Sequence, residues 1–276
     1  MEKFTLTKGL KKLGCSYLGG VAQSAKMQYS YNKGTATYCL YLAPSTMANP
    51  NRTVCPNDKW CSNFCLNGAG RNKGDIISRG FEESNINKSR IKKTNFFFDE
   101  KETFMQILIH EITREKNKAE KNNMEFSVRL NGTSDLSPED FVLDGKNILE
   151  IFPDVQFYDY TKMPQRIALA KKYPNYDVTL SFNGYNSNIC RSYLDNGGKV
   201  AVVFATKKMP KKFMGYNVEN GNDDDLRYLN SSSTIIFLHY HPTANDYIMD
   251  KKTNKRIFKE PNTPFIIKKD DIRCIF

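Results

Sequence analysis

Residues 177–204, DVTLSFNGYNSNICRSYLDNGGKVAVVF, hold two apolar runs on either side of one helical stretch. Asp177–Phe182 (DVTLSF) and Lys199–Phe204 (KVAVVF) are short, β-branched and nearly continuous in hydrophobicity, which is the signature of strands buried on both faces. Between them, NSNICRSYLDNGG predicts a helix stopped by Gly197 and Gly198. A strand, a crossover helix and a second strand of this kind predict parallel pairing, with helices covering the sheet.

The same grammar extends in both directions. Thr234–Tyr240 (TIIFLHY) follows, and Val155–Tyr158 (VQFY), Glu125–Leu130 (EFSVRL) and Thr35–Leu42 (TATYCLYL) precede. MPQRIALAKKYP, with Pro164 near its first turn, predicts a helix before Asp177. From Asp99, DEKETFMQILIHEITREKNKAEK places Phe104, Leu108 and Ile112 on one face of a long amphipathic helix, with Asp99 and Glu102 as an N-terminal cap and Lys118 and Lys121 at the C-terminal end. His110 lies beside that stripe and is expected to be a satisfied structural histidine. Six or more such strands over 1–276 predict an α/β fold with one domain, a single TIM-like (β/α) barrel, closed or incomplete.

In such a barrel the residues that follow each strand share one rim, and the active site lies there. The rim would carry Asn131, Thr133, Ser134 and Asp135, then Asp159, Tyr160, Thr161 and Lys162, then Ser181 and Asn183, then His239 and His241. Lys162, Asp159 and Asp135 are candidates for proton transfer or anchoring, and Arg129, Asn131, Ser134, Asp225 and Arg227 for substrate binding. Two structural alternatives stand beside these roles: Asp159 as the cap of its turn, and Arg129 with Asp135 as an ion pair.

The loop at 53–74, TVCPNDKWCSNFCLNGAGRNKG, brings Cys55, Cys61 and Cys65 within eleven residues. Thiolates select zinc, copper(I) or iron–sulfur clusters. Structural zinc wants four ligands, and no partner pair such as C-x-x-C or H-x-x-x-H stands elsewhere, so the set of three suits a [4Fe–4S] cluster with one open iron, with zinc as the alternative. Buried packing thiols are the plainest reading of such residues, against which the polar, Gly-rich surroundings argue. Gly68 and Gly70 would let backbone approach a ligand, and Arg71 would meet its carboxylate or phosphate. Cys15, Cys39, Cys190 and Cys274 each stand alone and are expected to pack as small hydrophobes. His239 and His241 alternate on a strand and could share a metal.

A net charge of +11 favours a polyanionic partner, nucleic acid or nucleotide. Tyr158, Tyr160, Phe182 and Tyr185 would offer stacking faces to exposed bases. No run of about eighteen apolar residues predicts a membrane helix, and the N-terminal MEKFTLTKGLKKLGCSYLGG lacks the apolar centre of a signal peptide. With an odd number of cysteines, seven, this predicts a reducing, cytoplasmic setting.

The segments LYLAPSTMAN, VCPNDKWCSNFCLNGAGR, VRLNGTSDLS, VQFYDYTK, KVAVVF and GYNVENGNDDDLRYL, spread over residues 40–229, follow one another as in the phage Gp88-like proteins, which the chain resembles from about residue 8 to residue 240. The resemblance implies a phage or prophage origin and a barrel whose three-cysteine loop is similar to that of radical-SAM enzymes, with S-adenosylmethionine as a further cofactor at the open iron. It supplies no reaction. The cysteine gaps here are five and three residues, where the radical-SAM loop has three and two, and Gly221-Asn222 stands where the family shows Gly-Asp before Asp225-Leu226-Arg227.

Overall fold

The computed structural model describes residues 17–276 apart from Trp60, Lys251, Lys252 and Asn254; the expectation for Cys15 lies outside the described residues. Its longer elements run in chain order as α1 (Ala25–Asn32), β1 (Thr35–Leu40), α2 (Gly70–Arg79), α3 (Asn85–Asp99), α4 (Lys101–Lys121), β2 (Glu125–Arg129), β3 (Gln156–Thr161), α5 (Arg166–Lys172), β4 (Tyr176–Ser181), α6 (Ser187–Asp195), β5 (Lys199–Phe204), β6 (Tyr216–Asn220) and β7 (Thr234–His239). The chain divides into two compact units. The first takes residues up to Pro56, Ser89–Thr179 and Asp223–Leu229, and the second takes Asn57–Lys88, Leu180–Asn222 and Asn230–Phe276.

In the first unit β1 pairs parallel with β2, from Thr35 opposite Glu125 to Cys39 opposite Arg129, and β2 pairs parallel with β3. The short strand Leu18–Gly19 adds antiparallel to β1. The helix α4 buries Phe104, Leu108 and Ile112 completely, together with Met105 and Ile107, against a core that includes Leu40, Val128, Leu130 and Phe157. Each such side chain withdrawn from water contributes about 1.5–3 kcal/mol, which is what fixes the helix on that face.

Three sequence expectations change here. The helix begins at Lys101 with Glu100 as its N-cap, no side chain caps it, and Asp99 closes the preceding helix α3 instead. The Asn85–Asp99 stretch is rich in Lys and Asn and has a weak apolar period, so its helix was not legible. His110 is exposed, because at 3.6 residues per turn it falls nearly opposite the apolar arc that Phe104, Leu108 and Ile112 define.

In the second unit β5, β7 and β6 lie side by side and parallel, so that β7 enters between two strands that precede it in sequence. Ile266–Ile267 pairs parallel with β5 on its other side. Lys212–Phe213 is antiparallel to β6 and to Cys274–Ile275. The helix α6 packs Cys190 and Leu194 on Val200, Val202, Phe204 and Ile235. The fold is therefore mixed α/β with the expected parallel strands and crossover helices. Among the described residues no strand order closes on itself, and antiparallel strands stand where further parallel ones would be needed to complete a TIM-like barrel. No described helix is long and apolar enough to cross a membrane.

Candidate functional site

Successive side chains on a strand point to opposite faces. In the first unit one face of β1–β4 carries Leu40, Val128, Phe157, Tyr176 and Val178 into the apolar core. The other face therefore carries Thr37, Cys39, Ser127, Arg129, Tyr158, Tyr160, Asp177 and Thr179. Thr37, Cys39, Ser127, Tyr158 and Thr179 are buried there. A polar layer withdrawn from water costs free energy unless its members bond to one another, so its connectivity is informative.

Arg129 is its hub. The guanidinium donates from Nη1 to Asp225 Oδ2 at 3.1 Å and from Nε to the Asn131 carbonyl at 3.1 Å, and it lies 4.6 Å from the centre of the Tyr160 ring. Lys26 of α1 donates to the other oxygen of Asp225, also at 3.1 Å. Burial alone would raise the Asp225 carboxyl, but Lys26 and Arg129 override it and hold the group well below the usual carboxylate range. The neighbouring Arg227, 1% exposed, donates to the Asp224 carboxylate at 2.6 Å. Tyr158 shares a 2.8 Å hydrogen bond with Thr37. Burial pushes the Cys39 thiol up to about 12, so it is a neutral thiol in this layer. Burial, and the charge of Asp225, likewise raise the Tyr160 phenol.

Gly132 closes the layer from above β2. A Cβ added there would stand 2.5 Å from the Tyr41 ring and 2.6 Å from the Cys39 sulfur, so no other residue fits. Arg90 stacks on the outer side of Tyr41, 5.0 Å from the ring centre. The Ser127 and Thr179 hydroxyls are buried in the layer without a hydrogen-bond partner among the described residues. The Tyr160 hydroxyl is buried and has no hydrogen-bond partner among the described residues.

The other rim residues form a network on the helical side, which meets the layer where Arg129 Nε donates to the Asn131 carbonyl. Asp159 accepts from the Asn131 backbone N–H (2.8 Å) and side-chain amide (2.9 Å), while Asn131 in turn accepts from Ser134 (2.8 Å) and from the Leu136 N–H. Asp135 accepts from Thr161 and from the Lys162 N–H, and pairs with Arg166 at 3.2 Å. Burial pushes the Asp159 carboxyl up to about 6, with Asn131 and Arg129 opposing. Asp159 thus holds the turn after β2, and the two ion pairs are Arg129 with Asp225 and Asp135 with Arg166, where a pairing of Arg129 with Asp135 was the alternative. The structure brings Asp135, Lys162, Asp159, Asn131, Ser134, Arg129, Asp225 and Arg227 into one unit, and Arg71 belongs to the other.

The cysteine loop is divided as well. In the first unit Cys55 Sγ lies 3.8 Å from the Thr133 carbonyl, and the adjacent Val54 carbonyl accepts from the Asp135 N–H at 2.7 Å, so this cysteine is tied to the loop after β2. In the second unit Cys61 packs half-buried against Tyr240, Phe265 and Ile266, and Cys65 Sγ accepts from the Asn67 N–H at 3.5 Å. A buried amide cluster of Asn67, Asn72 and Asn87, with Ser84, locks the loop onto α2 and α3. Gly70 begins α2 at φ +57°, a left-handed conformation that favours glycine, and a Cβ on Gly68 would press on Thr243 at 3.3 Å. Arg71 is exposed. Thiol chemistry suits a soft metal or cluster, but among the described residues no three His, Cys, Asp or Glu side chains are gathered to hold a metal ion. The fit is one of residue type alone. His239 and His241 do approach, with ring centres 5.5 Å apart, again with no third ligand of that kind.

Of the stacking candidates, Tyr158 and Phe182 are buried and Tyr185 is 61% exposed. Lys26, Cys39, Tyr41 and Gly132 were missed as site residues. For Cys39 the signal was available: the period of two in TATYCL and EFSVRL sets Thr37, Cys39, Ser127 and Arg129 on one face. For Lys26 and Gly132 it was not, because their contacts are set by tertiary packing.

The family model described as Gene product 88 matches residues 16–259. No curated protein and no solved structure matches the chain.

Proposed function

The chain belongs to the Gene product 88 family, and from that premise we propose that it is a phage-encoded iron–sulfur enzyme acting on a nucleotide or nucleic-acid-related substrate in the host cytoplasm. In this reading Cys55, Cys61 and Cys65 hold a [4Fe–4S] cluster whose open iron would take S-adenosylmethionine or the substrate. The parallel strands belong to an incomplete, radical-SAM-like barrel with the polar layer of the first unit as its interior. What supports the substrate class is charge. The formal net charge of +11 favours a polyanionic partner, and the Arg129 guanidinium is buried in the polar layer.

The observation that carries the reading is the Tyr160 hydroxyl, buried beside Arg129 with no hydrogen-bond partner among the described residues. Leaving such a donor unmade costs about 1–3 kcal/mol, and a bound acceptor would recover it. Residues that serve only packing would put Phe at this position.

The test is binding of dAMP and of a short single-stranded oligonucleotide to wild type, Tyr160→Phe and Lys26→Met. The reading expects dAMP binding that weakens several-fold in Tyr160→Phe and about tenfold in Lys26→Met. Unchanged affinity in both variants, with oligonucleotide binding that salt abolishes, would favour the second reading: a zinc-stabilised basic protein that holds nucleic acid without catalysis, to which the charge of +11 also points.

A further inference from the structure

In the second unit the parallel strands β5 and β7 end flush, and β6 stops two residues short of them. Phe204, the last residue of β5, is in register with His239, the last of β7, and Asn220, the last of β6, is in register with Phe237. Crevices outside the carboxyl ends of parallel strands are where open α/β sheets receive ligands. Here there is such a crevice, of about 360 Å³, lined by Lys207, Met209, Asn220, Asn222, Phe237 and His239. It contains none of the residues discussed above as catalytic or substrate-binding.

Its polar groups are arranged and not merely exposed. Asn222 is used up in building the wall: its Oδ1 accepts from the His239 N–H at 2.8 Å, and its Nδ2 donates to Asn220 Oδ1 at 2.8 Å and to the Phe237 carbonyl at 3.3 Å. These bonds tie the end of β7 to the end of β6. His239 Nδ1 stands 3.2 Å from the Thr206 carbonyl. A carbonyl can only accept, so Nδ1 carries the proton and the ring orientation is set. Nε2 then makes no hydrogen bond among the described residues. Lys207, exposed on the loop after β5, has no ion-pair partner among the described residues either. Phe237 and Met209 supply an apolar floor.

We propose that the crevice bounded by Lys207, His239 and Phe237 is a binding site for a small organic oxyanion, an acidic group carried on a flat apolar body. The acid pairs with the Lys207 ammonium and approaches His239 Nε2, while the apolar body lies on Phe237 and Met209. The Asn222 amide carries no charge, so the crevice wall holds no carboxylate there to repel such a ligand. A phosphate monoester and a carboxylate share this chemistry.

The chain has three histidines, so their ring signals in a proton–carbon correlation spectrum are few and separable, and His239→Asn identifies one of them by its loss. Phenyl phosphate, benzoate and inorganic phosphate are titrated separately at constant pH and ionic strength. The expected result is saturable movement of the His239 signal with phenyl phosphate or benzoate, and the tighter of the two names the acid class. Lys207→Met weakens that binding about tenfold or more. Met209→Ala weakens the aromatic ligands and leaves inorganic phosphate unaffected. If the His239 signal stays still with all three probes, if the signals of His110 and His241 move in parallel with it, or if Lys207→Met binds as the wild type does, the proposal is overturned.

Discussion

Arg129 and Asp225, 96 residues apart in sequence, form a largely buried ion pair at 3.1 Å that joins the end of β2 to the Asp223–Leu229 segment. The pair is held from both sides: Lys26 takes the second carboxylate oxygen, and the Tyr160 ring lies over the guanidinium.

Asp225→Asn should cost about 3–5 kcal/mol of folding stability at neutral pH, because it strands two cations in a desolvated layer. Urea denaturation measures it. The folded carboxyl is held below its unfolded value, so its contribution is present above about pH 4 and is lost as pH falls through the folded value. The gap between variant and wild type should therefore narrow in acid. An equal gap at pH 3 and pH 7 would mean that the charge is not what stabilises the segment.

Asp159 should show the opposite sign. Its folded carboxyl titrates at about 6, above the unfolded value, so the folded state binds the proton more tightly, and stability falls as pH rises from about 4 to about 6. The loss is on the order of 3 kcal/mol. Asp159→Asn should remove that slope, even though the substitution itself weakens the bonds from Asn131. A slope that persists in the variant would assign it to another group.

Much of the fold was legible because each strand of the sheet carries its own signal. Lys199–Phe204 is found where KVAVVF placed it, and Ser187–Asp195 is the helix that NSNICRSYLDNGG implied. The site was less legible, for a physical reason. Sequence spacing says which residues follow a strand, but not which of two faces they serve. Asp135 follows β2 and Asp159 lies within β3, and both turn to the helical side to hold loops, whereas Arg129 and Tyr160, also inside their strands, turn to the polar layer. Lys26 reaches Asp225 across 199 residues, and no local pattern encodes that. The open strand order was hidden similarly, since β7 enters between β5 and β6 by long-range pairing alone.

Gly132→Ala should destabilise the fold by about 1–3 kcal/mol, the usual cost of forcing an atom into a filled space, since its methyl would meet Tyr41 and Cys39 inside 3 Å. Thermal unfolding measures the change. Pairing it with Cys39→Ala should recover part of the loss, and no recovery would show that the strain falls on the backbone.

Any affinity for single-stranded nucleic acid should be mainly electrostatic, given a charge of +11 with Tyr158 and Phe182 buried out of reach of bases. Fluorescence anisotropy should then show binding that weakens steeply and linearly in log salt. Sequence-selective binding that survives high salt would contradict this.

The most direct test of the iron–sulfur reading is metal and acid-labile sulfide analysis of anaerobically purified protein, alongside Cys55→Ala, Cys61→Ala and Cys65→Ala. The account predicts brown protein containing iron and sulfide, with broad visible absorption lost in each of the three variants. Stoichiometric zinc without sulfide would contradict it and leave the zinc-stabilised nucleic-acid-binding reading in its place.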